Sequence, residues 1–248
     1  MQRIHFLNAH FDPLTLSQTV DAIFRLIGAG QRGWLCTVNV AILMMMRTDA
    51  RLQSFVDRAA LVVADGQPLV WCTHWFGKPL PERVTGVDLV DALCERAARE
   101  GMGIYLLGAT GDIVATVAQK LRNRHANLLV EYADGYFTKG DASVRANKIR
   151  ASGARILLVG MGVPRQEIFI EEQWDHLGVG MAIGIGGSFD VLAGMRSRAP
   201  AWVQKIGMEW FFRTAQEPRR LFLRYLVTNT KFIWLVFLML MKKGFDLL

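Results

Sequence analysis

Apolar residues arrive along this chain in two rhythms. Short runs rich in β-branched and large aliphatic residues, at Ile4 to Leu7, Trp34 to Val38, Leu61 to Ala64, Ile104 to Leu107, Leu128 to Tyr132, Ile156 to Val159 and Met181 to Ile185, have the length and character of buried strands. Between them lie longer segments of helical spacing. In DLVDALCERAARE, residues 88–100, Leu89, Ala92, Leu93, Arg96 and Ala97 fall three or four apart, while Asp91, Glu95 and Arg99 face outward. The alternation predicts an α/β fold, a mostly parallel sheet flanked by helices in the Rossmann-like manner. No repeat, low-complexity tract or flexible linker interrupts it before residue 195, so residues 1–195 are assigned to one catalytic-size domain and residues 196–248 to an appendage.

The ends of these runs carry the candidate chemistry. In LVVADGQPLVW, residues 61–71, an apolar run meets an acid, a glycine and a Pro that opens a new apolar stretch. A carboxylate is too costly to leave unpaired inside a core, so Asp65 is expected at a strand tip that opens on a crevice. Ligands of open α/β sheets bind outside the carboxyl ends of the strands. TVN at 37–39, ADG at 64–66, GATGD at 108–112, ADGYF at 133–137, GMGVPRQE at 160–167 and GIGGSFD at 184–190 have suitable loops for that edge. Their glycines allow close backbone approach to a ligand, and a following helix N-terminus favours phosphate. By contrast GAGQRG, residues 28–33, matches a dinucleotide fingerprint but follows a helix and precedes a strand, so it is expected to be a helix-ending loop. A P-loop with its Lys is absent, as are a D-x-D pair near a strand end and a His ligand cluster, and no metal site is expected.

Charge and composition modify this picture mainly at the C-terminus. The formal net charge is +7, which suits an anionic partner without choosing one. Cys36, Cys72 and Cys94 are odd in number and scattered, and read as reduced thiols. MQRIHFLNAHFD shows no long apolar stretch after its basic residue, so no signal peptide is expected and the cytoplasm is the default compartment. The last fifty residues concentrate Arg196, Arg198, Lys205, Arg213, Arg219, Arg220, Arg224, Lys231, Lys242 and Lys243 against Glu209 and Glu217. The apolar run from Phe232 to Met241 would span only about 15 Å as a helix, too short for a bilayer. A basic segment bearing Trp, Phe and Leu at that length suits a helix lying in the membrane interface; packing on the core or on another copy of the chain is the alternative.

Taken in order, TVN at 37, ADGQPLVW at 64, PERVTGVDL at 81, GMGVPRQE at 160, GIGGSFDVLAG at 184, RAPAWVQKIGMEWFFR at 198 and EPRRLFLRY at 217 resemble the WecG/TagA/CpsF family of bacterial glycosyltransferases. The resemblance implies an inverting transferase that needs no metal or cofactor. It would move a sugar from a UDP-sugar to a polyprenyl-pyrophosphate-linked sugar on the inner face of the cytoplasmic membrane, with a basic appendage that binds membrane and completes the active site. Cell-surface polysaccharide or teichoic-acid synthesis is the implied setting. N-acetylmannosamine, its uronic acid and glucose all stay open as the donor sugar.

On that reading Asp65 is the base, because direct displacement needs a carboxylate near the acceptor hydroxyl. Arg83 would bind acceptor phosphate or orient Asp65. Thr37, Asn39 and Gln166 would contact sugar or acceptor, Asn39 and Thr37 also being good helix caps. Gly108, Gly162, Gly186 and Gly187 would line the nucleotide, Tyr136 would stack on uracil and Asp190 accept its ring N–H. Arg213, Arg220 and Arg224 would stabilise the departing pyrophosphate. The rival readings are a nucleotide-sugar-binding regulator without turnover and a nucleic-acid binder. The second lacks the aromatic or helix-turn-helix patterns of nucleic-acid readers. Self-association is a further possibility that the apolar tail raises.

Overall fold

The computed structural model describes residues 2–245, and within them every side chain except those of Arg220 and residues 243–245. Eight strands form in chain order: β1 Ile4–Phe6, β2 Ala9–Phe11, β3 Gly33–Val38, β4 Leu61–Ala64, β5 Ile104–Gly108, β6 Val130–Ala133, β7 Ile156–Gly160 and β8 Met181–Gly184. Helices α1 Leu16–Gly28, α2 Val40–Met46, α3 Ala50–Asp57, α4 Gln67–Trp75, α5 Gly86–Glu100 and α6 Gly111–Arg124 occupy the first half. They are followed by α7 Ala142–Ala151, α8 Arg165–Leu177, α9 Ser188–Ala193, α10 Ala201–Lys205, α11 Glu209–Gln216 and α12 Pro218–Phe245. β3 to β8 make one parallel sheet in the order β4-β3-β8-β7-β5-β6, with helices on both faces, as the apolar rhythm predicts.

Burial follows from the pattern. β3, β4, β5 and β8 are buried at every position, as a strand covered on both faces must be. One core layer joins α1, α5, α6 and α9 to the sheet, with Ile23, Leu89, Leu93, Val114 and Phe189 at its centre. The other joins α2, α3, α4, α7, α8 and α12. α1 starts at a capping box in which Thr15 accepts from the Gln18 N–H and Gln18 accepts from the Thr15 N–H. α5 starts at Thr85 and stops at Gly101, whose φ of 65° closes the helix in the left-handed region. In α5, Arg96 is drawn over the Phe24 ring, 4.4 Å from its centroid, so its aliphatic stem packs while its head pairs with Asp21 and Glu100.

Three expectations change. The N-terminal run does not join the main sheet: β1 and β2 form a separate antiparallel hairpin, turned at Leu7 with φ 53°. The run from Leu128 becomes a strand only from Val130, since Leu128 is buried in the preceding loop while Leu129 stays exposed. The apolar tail run belongs to a 28-residue helix, and its stretch Leu221–Lys242 is long and apolar enough to cross a membrane by length and composition. Only one face of α12 packs on the domain, through Leu221, Thr228, Phe232 and Val236, with the Phe232 ring edge-on to Phe6 at 6.4 Å. The three cysteines are buried free thiols, and Gly28–Gly33 closes α1 and opens β3 as expected.

At Gly108 the chain passes so near the neighbouring strand that an added Cβ would stand 2.4 Å from the Gly160 carbonyl oxygen, at a φ of +151°. Gly108→Ala is therefore expected to lower stability by about 1–3 kcal/mol in urea unfolding. Gly111→Ala, at an open helix start, should change it by no more than about 0.5 kcal/mol.

Candidate active site

Four adjacent strand tips open on one crevice. β3 delivers Thr37 and then Asn39, β4 delivers Asp65, β7 runs into Met161 and Gly162, and β8 runs into Gly186, Gly187 and Ser188. These residues form the floor of a cavity of about 310 Å³. The C-terminal segment covers it with Arg196, Arg198, Glu209, Arg213, Glu217, Arg224 and Tyr225.

The sheet itself sets the floor. The Asp65 N–H donates to the Val38 carbonyl at 2.9 Å, extending the β3–β4 ladder one residue past the strand. The Thr37 hydroxyl donates to the Gly184 carbonyl at 3.1 Å, across from β3 to β8. Asn39 caps α2, its side-chain oxygen accepting from the Ile42 N–H at 3.0 Å, so the cap and the cavity lining are the same residue. Gln166 is buried; its amide donates to Glu167 at 2.8 Å and its oxygen accepts from the Gly186 N–H at 3.1 Å. A Cβ at Gly184 would stand 2.5 Å from that amide nitrogen, which is why β8 ends in glycine. Glu167 thus fixes Gln166, and Gln166 fixes the loop after β8.

Two carboxyl groups here are shifted strongly upward. Burial raises Asp65 to about 7; Arg213 and Arg83 pull against it, while Glu209 and Asp88 push with it. Burial likewise raises Glu167 to about 7, against the hydrogen bond from Gln166 and the charge of Arg224. The second Glu167 oxygen is buried without a hydrogen-bond partner among the described residues, a placement that suits a protonated acid.

The covering cations are held by carboxylates of their own. Arg213 donates to Glu209 at 3.0 Å; burial disfavours its charge, but Asp65 and Glu209 outweigh that and hold its pKa above the ordinary arginine value. Arg198 donates to Asp88 at 2.6 Å, and Arg196 pairs with Asp190 at 3.3 Å and with Glu217. Arg224 is different: it lines the cavity, and its Nε is buried without a hydrogen-bond partner among the described residues. An anion entering the cavity meets an Nε–H that needs an acceptor.

Of the residues singled out from sequence, Thr37, Asn39, Asp65, Gly162, Gln166, Gly186, Gly187, Arg213 and Arg224 come together around this cavity. Arg83 borders an adjoining groove and anchors the tail, donating to Glu209 at 2.7 Å and to Gln204. Asp190 sits behind the lining as the partner of Arg196. Gly108 ends β5 and Tyr136 follows β6, farther along the sheet edge, and neither lines this cavity; Tyr136 is exposed, with the Arg165 guanidinium 5.9 Å from its ring centre. The Arg220 side chain lies outside the described residues. Arg196, Arg198, Glu167 and Glu209 were not selected from sequence as site residues, although all four stand in or beside the quoted glycine loops and the RAPAWVQKIGMEWFFR motif.

The family model for the glycosyl transferase WecG/TagA/CpsF family matches residues 4–245. This chain belongs to that family. The WecG/TagA/CpsF match spans both the sheet domain and the helices that cover it, so floor and cover are parts of one glycosyltransferase of cell-wall polysaccharide synthesis.

The balance of charges around Asp65 has a measurable sign. Carboxyl NMR should find Asp65 titrating near 7. Arg213→Gln should move that midpoint up, and Glu209→Gln should move it down. Because the folded-state value lies above the ordinary aspartate value of about 3.9, the stability contributed by this carboxyl is whole below about pH 4 and is lost as the pH rises to about 7. Asp65→Asn should flatten that segment of the stability curve.

Proposed function

We propose that this glycosyltransferase moves a sugar from a UDP-sugar to a polyprenyl-pyrophosphate-linked sugar with inversion at the anomeric carbon. Asp65 is the general base. Its carboxylate takes the proton of the acceptor hydroxyl as that oxygen bonds to the anomeric carbon, and the bond from the anomeric carbon to the UDP oxygen breaks. The pair of electrons leaves with UDP, whose added negative charge falls to Arg224 and Arg213 without a metal. Thr37, Asn39 and Gln166 orient the sugar, held in place by the sheet and by Glu167. The observation that carries the reading is a carboxyl with a pKa of about 7 sharing one cavity with Arg224, whose buried Nε lacks a hydrogen-bond partner among the described residues. A base poised near the working pH combines the right protonation state with driving force for proton transfer.

The enzyme works at the cytoplasmic face of a membrane. Support for this comes from α12, which exposes Phe222, Leu223, Ile233, Trp234 and Leu238 with Arg219, Lys231 and Lys242 nearby.

Asp65→Asn should lower kcat by about 10²- to 10⁴-fold while UDP binding by calorimetry is kept. That outcome also separates a transferase from a nucleotide-sugar-binding regulator. In the wild type, kcat/KM should rise with pH through about 7 as Asp65 ionises. Glu167→Gln should retain this limb; its disappearance would make Glu167 the titrating group. Arg224→Met should weaken UDP binding by roughly 10- to 100-fold and leave uridine binding unchanged, the difference expected for one charged hydrogen bond.

A further inference from the structure

A second depression, of about 600 Å³, adjoins the polar cavity. The two share Asn39, Asp65, Glu209, Arg213 and Tyr225 as a common wall. Beyond that wall the chemistry changes: the second depression is lined mainly by Trp71 and Trp75 of α4, Ile206 of the turn after α10, and Ile233, Phe237 and Leu240 of α12. All six are more than a third exposed. Apolar surface of that extent, continuous with a reaction centre, marks a binding groove rather than scattered surface residues.

The groove has a direction. At its inner end Arg83 and Arg213 flank Asp65; at its outer end it follows α12 for the sixteen residues from Tyr225 to Leu240, about 24 Å of helix. It opens beside Trp234, Leu238 and Met241, the exposed apolar face of the same helix. A matching ligand is anionic at one end, hydrocarbon along its length and able to continue into lipid. We propose that this groove holds the first part of the acceptor's hydrocarbon chain, so that the chain threads between α4 and α12 to bring the acceptor hydroxyl to Asp65. This rests on the lipid-linked acceptor proposed above and assigns its tail a path distinct from the donor cavity.

The test uses the full chain in membrane-free, detergent-free buffer, with two acceptors identical except that one carries a three-isoprene chain and the other a methyl group in its place. The wild type should show a KM at least roughly tenfold lower for the chain-bearing acceptor. The exposed-site double variant Trp75→Ser/Phe237→Ser, and independently Ile233→Asp, should lose that preference while KM for the methyl acceptor and for the UDP-sugar stays unchanged. A preference retained in both variants, or absent from the wild type, overturns the proposal. So does a result in which the variants lose only sedimentation with phospholipid vesicles, since the groove would then be a bilayer-insertion surface. Turnover of neither acceptor would count against the transferase reading. The groove is then judged by calorimetry with farnesyl pyrophosphate against methyl pyrophosphate, where a wild-type preference for the longer chain that is lost in the variants upholds it and equal binding rejects it.

Discussion

Everything in this structure turns on holding one carboxyl group partly out of water at the end of β4 while surrounding it with paired charge. A solvated aspartate would stay ionised well below neutrality and make a weak base; a wholly unpaired one inside the protein would be intolerable. The resolution is geometric. The β3–β4 ladder fixes the Asp65 backbone, and the opposing influences of Arg213 and Arg83 on one side and Glu209 and Asp88 on the other leave burial to bring the group to about 7. Glu209 is central, because it binds both Arg83 of the sheet domain and Arg213 of the tail. Without it two part-buried cations would flank Asp65 and depress its pKa.

That arrangement makes the C-terminal segment part of the site rather than an attachment to it. α12 is anchored by one narrow face, Leu221 through Val236, against α2 and the β1–β2 hairpin, and this docking carries Arg224 and Tyr225 over the strand tips. The remaining surface of the helix is exposed and largely apolar, with Arg219, Lys231 and Lys242 among the exposed residues. A helix packed on one side and greasy on the others suits a protein whose cavity must be closed where lipid is near, and it gives α12 two tasks along its length: cover for the polar cavity near its start, wall of the apolar groove farther on.

Much of this was legible in the chain. Buried strands announced the sheet, and the abrupt change from Leu61–Ala64 to Asp65 marked a strand tip that opens on a crevice, because few structural reasons place an acid inside a core. Thr37 and Asn39 were found through family resemblance and Gln166 through its place at the helix start after GMGVP, and all three line one cavity with Asp65. What escaped depends on long-range geometry. Which loops share a crevice is decided by the order β4-β3-β8-β7-β5-β6, and no local pattern reveals that β5 and β6 carry Gly108 and Tyr136 away from it. Among ten tail cations, local sequence does not say that Arg196 and Arg198 turn inward onto Asp190 and Asp88. The length of α12 was underestimated for a related reason: Arg224 and Lys231 interrupt its apolar run in sequence, yet the helix continues through both.

The central claim is that strand tips and tail form one ligand site, and hydrogen–deuterium exchange with and without UDP tests it most directly. The account predicts slowed exchange in the loops after β7 and β8 together with α11 and the first turns of α12, residues 209–225. Protection confined to the sheet loops, with the tail exchanging at the same rate in both states, would contradict it.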